Sequence, residues 1–371
     1  MGHFRVSTTF ANLRDIYMFS RKLLNFRLRT VIGLTILWMV FGFIFFYNLI
    51  NVRNDLGVVV ELWKFVLVFG LMGFIINSAL VFYFKNAFNR FPTWATILFK
   101  LILAFLLFML VSFVFLAFYY ILRYRAGNLA DFTHSFFTKV MFTNTFLVFF
   151  TDLIVLSFLS IVFIDITHRF GPGMFWSMLT GQYNNPRQEN RIFIFLDINS
   201  ATTIAEHLGH EQYFNMLKDF FSDITIPVLT NDGMIYQYVG DEIVISWLNR
   251  PENKIKALKF LRNAFYLLKR REEKYIDKYG TSPDFKAGIH AGEVTAGFVG
   301  EIKTELIYSG DTMNTAARIR SMCNELNENF VLSEDFMEDF AQPAGYEINK
   351  IGTMELKGKT EPVKVFSLKL D

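Results

Sequence analysis

Four runs of apolar residues dominate the first half of the chain, at Thr30–Ile50, Val58–Phe84, Ile97–Leu122 and Val140–Ile166. Each reaches the roughly 20 residues that a helix needs to cross a bilayer. Beyond residue 190 the pattern changes. RIFIFLDI reads as a buried strand, and Ile204–Phe221 and Ala257–Tyr279 as amphipathic helices. MIYQYVGDEIVISW reads as a hairpin turning at Gly240–Asp241. FKAGIHAGEVTAGFVG supplies another strand and turn, and a helix begins near Met313. GYEINKIGTMELKGKTEPVKVFSLKL closes with an antiparallel pair. This order predicts an α/β sandwich with a mixed or antiparallel sheet, behind an all-α transmembrane bundle of four helices.

Composition agrees with that division. The 371 residues are 53% hydrophobic and include 45 Phe, and mean hydropathy is +0.31. The excess sits in the first half, which marks a lipid bilayer as the partner of that half. A net charge of +3 excludes a strongly basic nucleic-acid binder. Cys323 stands alone, so an intramolecular disulfide framework is excluded. Arg5, Arg14, Arg21, Lys22, Arg27 and Arg29 precede the first span, which predicts a cytoplasmic N-terminus. Four spans return the second half to the cytoplasm, so localisation at the cell's inner (plasma) membrane is expected. The organisation read is a basic N-terminus at 1–29, spans within 30–166, a linker or coupling element at 167–190 and a catalytic domain at 191–371. Gly171, Pro172 and Gly173 interrupt helical continuity in that linker.

The chemistry concentrates in the second half. Asp197 ends the first strand and Asp241 sits at the hairpin turn, both in apolar surroundings. Buried carboxylates are costly unless paired, and hard divalent cations take carboxylate oxygens. Asn314 and Arg318 lie four residues apart at a helix start, on one face. These groups are the equipment for phosphoryl chemistry on a nucleoside triphosphate. Other polar residues have plainer readings. His207 and His210 suit a solvated helix face, His290 a packed strand position and Cys323 a small buried hydrophobe. Asp152, near the middle of the fourth run, is open between a structural and a coupling role.

Across about 180 residues these motifs, in this order, resemble the class III nucleotide cyclases, which include membrane adenylate and guanylate cyclases. The four spans and the GPG…LTGQYNNPRQE linker resemble a bacterial membrane-bound group of that family. The resemblance implies a cyclase catalytic fold with a ferredoxin-like βαββαβ core. It places Asp197, Asp241 and the Ile198 carbonyl on two cations, Mg²⁺ or Mn²⁺. It turns backbone N–H groups of Ser200, Ala201 and Thr202 toward phosphates and gives Lys357 the terminal phosphates. Asn314 would orient the ribose, and Arg318 would meet charge on the α-phosphate. Two departures concern the base: Gln237 and Ile307 stand where the family usually carries a Lys and an Asp, Thr or Ser. The Gln amide both donates and accepts, so it suits adenine or guanine. The expected activity is conversion of ATP to cyclic AMP by a homodimer joined through its catalytic domains. GTP as substrate, and a catalytically silent nucleotide-binding membrane sensor, are the alternatives.

Overall fold

The computed structural model describes residues 24–47, 62–84, 87–88, 91–124, 133, 144–170, 177–178, 180–340, 343–355 and 362–370. They fall into two compact units, one within Leu23–Pro172 and one within Gly173–Asp371.

Among the described residues the first unit holds four helices of membrane-spanning length, α1 (Leu24–Tyr47), α2 (Leu62–Phe82), α3 (Thr93–Tyr124) and α4 (Asn144–Phe170). Each carries an apolar stretch long enough to cross a membrane. Trp38, Phe69, Ile76 and Leu156 pack inward, and Trp38 Nε1 donates to Ser160 Oγ at 2.9 Å, joining α1 to α4. Ile36, Phe43, Trp63 and Leu110 face outward. Helices apolar all round suit lipid. The boundaries differ from the sequence reading. α1 begins at Leu24, so Arg27 and Arg29 are helical. Asp152 is the ninth residue of the 27-residue α4.

The second unit is an eight-stranded mixed sheet with helices against it. Its elements are β1 (Arg187–Ile198), α5 (Ala201–Leu208), α6 (His210–Thr230), β2 (Met234–Val239), β3 (Glu242–Leu248), α7 (Pro251–Tyr279), β4 (Phe285–Val299) and β5 (Glu305–Ser309). They continue with α8 (Asp311–Glu325), β6 (Phe330–Ser333), α9 (Glu334–Met337), β7 (Glu347–Met354) and β8 (Val363–Lys369). The strand order is β2-β3-β1-β4-β6-β8-β7, with β5 on β4. β2-β3-β1-β4 pair antiparallel throughout. With their two helical crossovers they form the ferredoxin-like βαββαβ core. Among the described strands only β4 and β6 run parallel.

Alternation along β1 divides the interior. Ile192, Ile194 and Leu196 pack with α6 and α7 through Phe220, Ile224, Phe260 and Leu261. Phe193 and Phe195 join Val244, Tyr308 and Ala316 of α8 on the other face. Period two therefore puts Asp197 on the α8 side of the sheet.

Five elements differ from the sequence reading. The helix read at Ile204–Phe221 is two helices, broken at Gly209 with φ 76° and reaching Thr230. β1 begins at Arg187, ahead of Arg191, because 187–190 pair with β4. β4 runs unbroken for 15 residues, and β5 and β6 had not been read as strands. His207 and His210 are exposed. His290 is buried, its Nδ1 2.8 Å from Ser333 Oγ. Burial pushes the Cys323 thiol up to about 12.

Candidate active site

Three strands and one helix meet at the end of β1. Cross-strand register sets Asp197 directly between Glu242 of β3 and Lys286 of β4. Directly opposed side chains share one face of a sheet. A row of two carboxylates and one ammonium thus faces α8, and Arg320 descends onto it. Arg320 Nη2 lies 2.5 Å from Asp197 Oδ2, and its Nε lies 3.2 Å from Glu242 Oε2.

The β2–β3 turn adds Asp241. Gly240 has φ 62° at the first central position, the φ pattern of a type II′ hairpin turn, where glycine is preferred. The turn brings Asp241 within hydrogen-bond contact of Asp197. After β1 the chain turns through Ser200, whose φ of 55° and ψ of 34° are left-handed, into the first turn of α5. These pieces enclose a cavity of about 230 Å³, lined by Asp197, Ile198, Ser200, Thr202, Asp241, Lys286, Arg320 and Asn324, with Asn199 and Ala201 completing the wall.

The electrostatics are those of carboxylates short of counter-charge. Burial, then the hydrogen bond with Asp241, raises the Asp197 carboxyl to about 7, while Arg320 opposes the shift. Burial also raises Glu242, again against Arg320. Tyr213 of α6 is raised to about 12 by burial and then by Asp241 and Asp197. Asp197 Oδ1 is buried with no hydrogen-bond partner. Two carboxyl groups in contact, one with an idle buried oxygen, are a donor set that a hard divalent cation satisfies. Among the described residues no cluster of three or more His, Cys, Asp and Glu side chains forms a metal site. Any cation here would therefore draw on backbone or solvent oxygens as well.

α8 is held on the sheet by β4. A Cβ at Gly288 would lie 2.2 Å from the Arg320 backbone nitrogen, so only glycine admits the helix there. Thr312 Oγ1 donates to the Glu293 carbonyl at 2.7 Å and seats the other end. This docking fixes the base of the Arg320 side chain over Asp197.

Of the residues read from sequence, the cavity gathers Asp197, Ile198, Ser200, Ala201, Thr202 and Asp241. Asn314 is exposed on α8, and Arg318 is partly buried with Nη1 lacking a partner. Neither lines the cavity. Residues two apart on a helix point about 200° apart. Arg318 and Arg320 therefore leave α8 on opposite sides. Gln237 and Ile307 are exposed, on β2 and β5. Tyr236 and Tyr308, with ring centroids 4.9 Å apart, connect those two strands beneath them. Lys357 and the Gly171–Gly173 break lie outside the described residues. Glu242, Lys286, Arg320 and Tyr213 escaped the sequence reading. Only register reveals the first two, and the Arg-Ile-Arg of α8 gives a weak cue to the third.

Residues 184–369 match the family of adenylate and guanylate cyclase catalytic domains. The chain belongs to that family. Its cyclase domain is similar to adenylate cyclase 2 of Rhizobium meliloti (strain 1021), 34% identical over 202 residues, covering 53% of this chain and 55% of the relative. It is also similar to the adenylate cyclase of Anabaena cylindrica, 24% identical over 224 residues, covering 56% and 43% of the two chains. Guanylate cyclase 2G of Rattus norvegicus is 26% identical over 190 residues, covering 50% and 17%. The chain thus spans about half or less of these relatives' lengths. Among solved structures, a bacterial light-regulated adenylyl cyclase shares the cyclase fold at TM-score 0.51 and 17% identity, covering 58% of this chain and 62% of that one.

Proposed function

We propose that the chain is a membrane-anchored adenylate cyclase that makes 3′,5′-cyclic AMP and pyrophosphate from ATP. The observation that carries this reading is the Asp197–Asp241 contact, with its idle Asp197 oxygen, in the wall of a cavity that the α5 turn also lines. Asp197, Asp241 and the Ile198 carbonyl would hold two Mg²⁺ or Mn²⁺ ions. Such ions, when bound, make a hydroxyl more acidic and neutralise charge on a transferring phosphoryl group.

The chain's own groups do the positioning. The α5 turn at Ser200, Ala201 and Thr202 presents backbone N–H groups to phosphates. Lys357 takes the terminal phosphates. Asn314 orients the ribose so that its 3′-oxygen faces the α-phosphorus in line with departing pyrophosphate. Arg318 stabilises charge that grows on the α-phosphate, where fixed donors act most strongly.

One chain does not assemble this set around its own cavity. Arg318 and Arg320 point to opposite sides of α8, and Arg318 Nη1 awaits a partner. A second copy, with Asn314 and Arg318 facing the first copy's carboxylates, completes the site and makes the working unit a homodimer. Asp197→Ala and Arg318→Ala should each be inactive alone, and co-expression should recover activity. A heterodimer keeps one site with every group intact, so up to about one quarter of wild-type turnover is expected from random pairing. Absence of recovery from folded, associating variants would place the whole site in one chain.

Because burial and Asp241 keep Asp197 protonated up to about pH 7, a cation must displace that proton. Mn²⁺ affinity, followed by titration calorimetry, should fall about tenfold per pH unit below about 7 and level off above it. A flat profile from pH 5 to 8 would remove Asp197 from the cation site.

The deciding assay offers ATP and GTP separately to the full chain in detergent or nanodiscs and identifies each product. Cyclic AMP from ATP supports the reading, and no cyclic nucleotide from either leaves the nucleotide-binding sensor. A dual-specificity cyclase is the second reading, favoured by Gln237, whose amide meets either purine, and by Ile307, which offers base no hydrogen bond. The basic N-terminal segment supports an inner-membrane location with the catalytic unit in the cytoplasm.

A further inference from the structure

Arg320 makes the only charged contacts to the Asp197–Glu242 pair that come from outside the sheet among the described ion pairs. Its two contacts are unequal. Nε, close to the side-chain stem, is held by Glu242, while Nη2, at the tip, reaches Asp197. The stem itself cannot drift, because Gly288 packs against the Arg320 backbone. Rotation of the guanidinium about its Glu242 contact would free Asp197 Oδ2 without moving α8. The 230 Å³ cavity beside it, lined by Ser200, Lys286 and Asn324, gives the tip somewhere to go.

We propose that Arg320 is a built-in cation that occupies Asp197 in the cation-free protein and must turn away, pivoting on Glu242, before a divalent ion can take both oxygens of Asp197. This rests on the reading of Asp197 and Asp241 as the cation site. The physical ground is competition. A guanidinium 2.5 Å from a carboxylate oxygen makes a charge-assisted hydrogen bond, and an incoming ion needs the same oxygen. Glu242 matters because it keeps the displaced guanidinium paired. Without it, Arg320 would have Asp197 as its sole carboxylate here and would yield less readily. Arg320 is thus a positioning residue that sets the threshold of cation concentration for the site, and Glu242 lowers that threshold.

The test uses the full chain in nanodiscs without nucleotide, at a pH above the range in which Asp197 ionises, and measures Mn²⁺ binding by electron paramagnetic resonance of the free ion. Arg320→Gln should tighten Mn²⁺ binding by about tenfold or more, the equivalent of one charge-assisted hydrogen bond. Glu242→Gln should weaken it. Arg320→Lys keeps the charge but loses the fork that spans both carboxylates, so it should fall between wild type and Arg320→Gln. Thermal unfolding of each variant separates folding defects from binding effects. An Arg320→Gln affinity equal to or below wild type, in a folded protein, overturns the proposal. So does an Arg320→Lys affinity equal to wild type, since charge alone would then account for the effect. Asp197→Asn is the separate arm. If it retains wild-type Mn²⁺ affinity, the cation site itself is wrong; if it loses binding while Arg320→Gln changes nothing, only the role of Arg320 fails.

Discussion

Asp197→Ala should lower turnover by about 10³-fold or more while the cyclase domain stays folded. The side chain sits at a strand end and meets Asp241, Glu242 and Arg320, not the apolar interior. Its ionised form is disfavoured in the fold, as the rise to about 7 shows, so removing it costs the core little. Asp241→Ala should match it, because the two carboxyl groups hold one site between them. The measurement is initial rate at saturating ATP and Mn²⁺, alongside the thermal midpoint. Wild-type turnover in either variant would show that catalysis does not pass through this pair.

The second large effect is expected far from any reacting atom. Gly288→Ala adds one methyl where β4 meets the backbone of α8, 2.2 Å from the Arg320 nitrogen and 2.6 Å from its Cα. The obstacle is main chain and cannot rotate aside, so α8 must lift as a body. Overpacking of this kind costs on the order of 3 kcal/mol. The thermal midpoint of the catalytic unit should fall by several degrees. Activity should fall with it at temperatures where the protein remains folded, because the helix carries Asn314, Arg318 and Arg320 together. Unchanged stability and rate would mean that α8 is not seated on Gly288 in solution.

The two effects differ in how readily the sequence shows them. Asp197 and Asp241 stand out because alternation marks the flanking strands, and a carboxylate at the end of such a run has no local purpose. Four apolar stretches are equally legible, since crossing a bilayer is a matter of length and composition. Gly288 looks like any strand glycine until β4 and α8 are superposed. Glu242 and Lys286 acquire meaning only through the register that places both beside Asp197. Arg320 resembles a surface residue because helical spacing reports its face but not what that face meets. The break at Gly209 escaped because apolar periodicity continues across it, from Ile204 and Leu208 into Leu217 and Phe220.

α8 also behaves as a ruler. Thr312 at one end and the Gly288 contact at Arg320 clamp it at two points, and the residues between them fill a set number of turns. Inserting or deleting one residue inside that interval would rotate everything beyond it by about 100°. An insertion between Thr312 and Arg318 would swing both Arg318 and Arg320 off target in the same stroke. Side-chain exchanges at partly buried Met313 or Ala317 disturb local packing alone, whereas a change of length between Thr312 and Arg318 displaces two arginines. The stretch should therefore accept substitutions far more readily than insertions, which a deep scan of single-codon insertions against single-residue replacements would display directly.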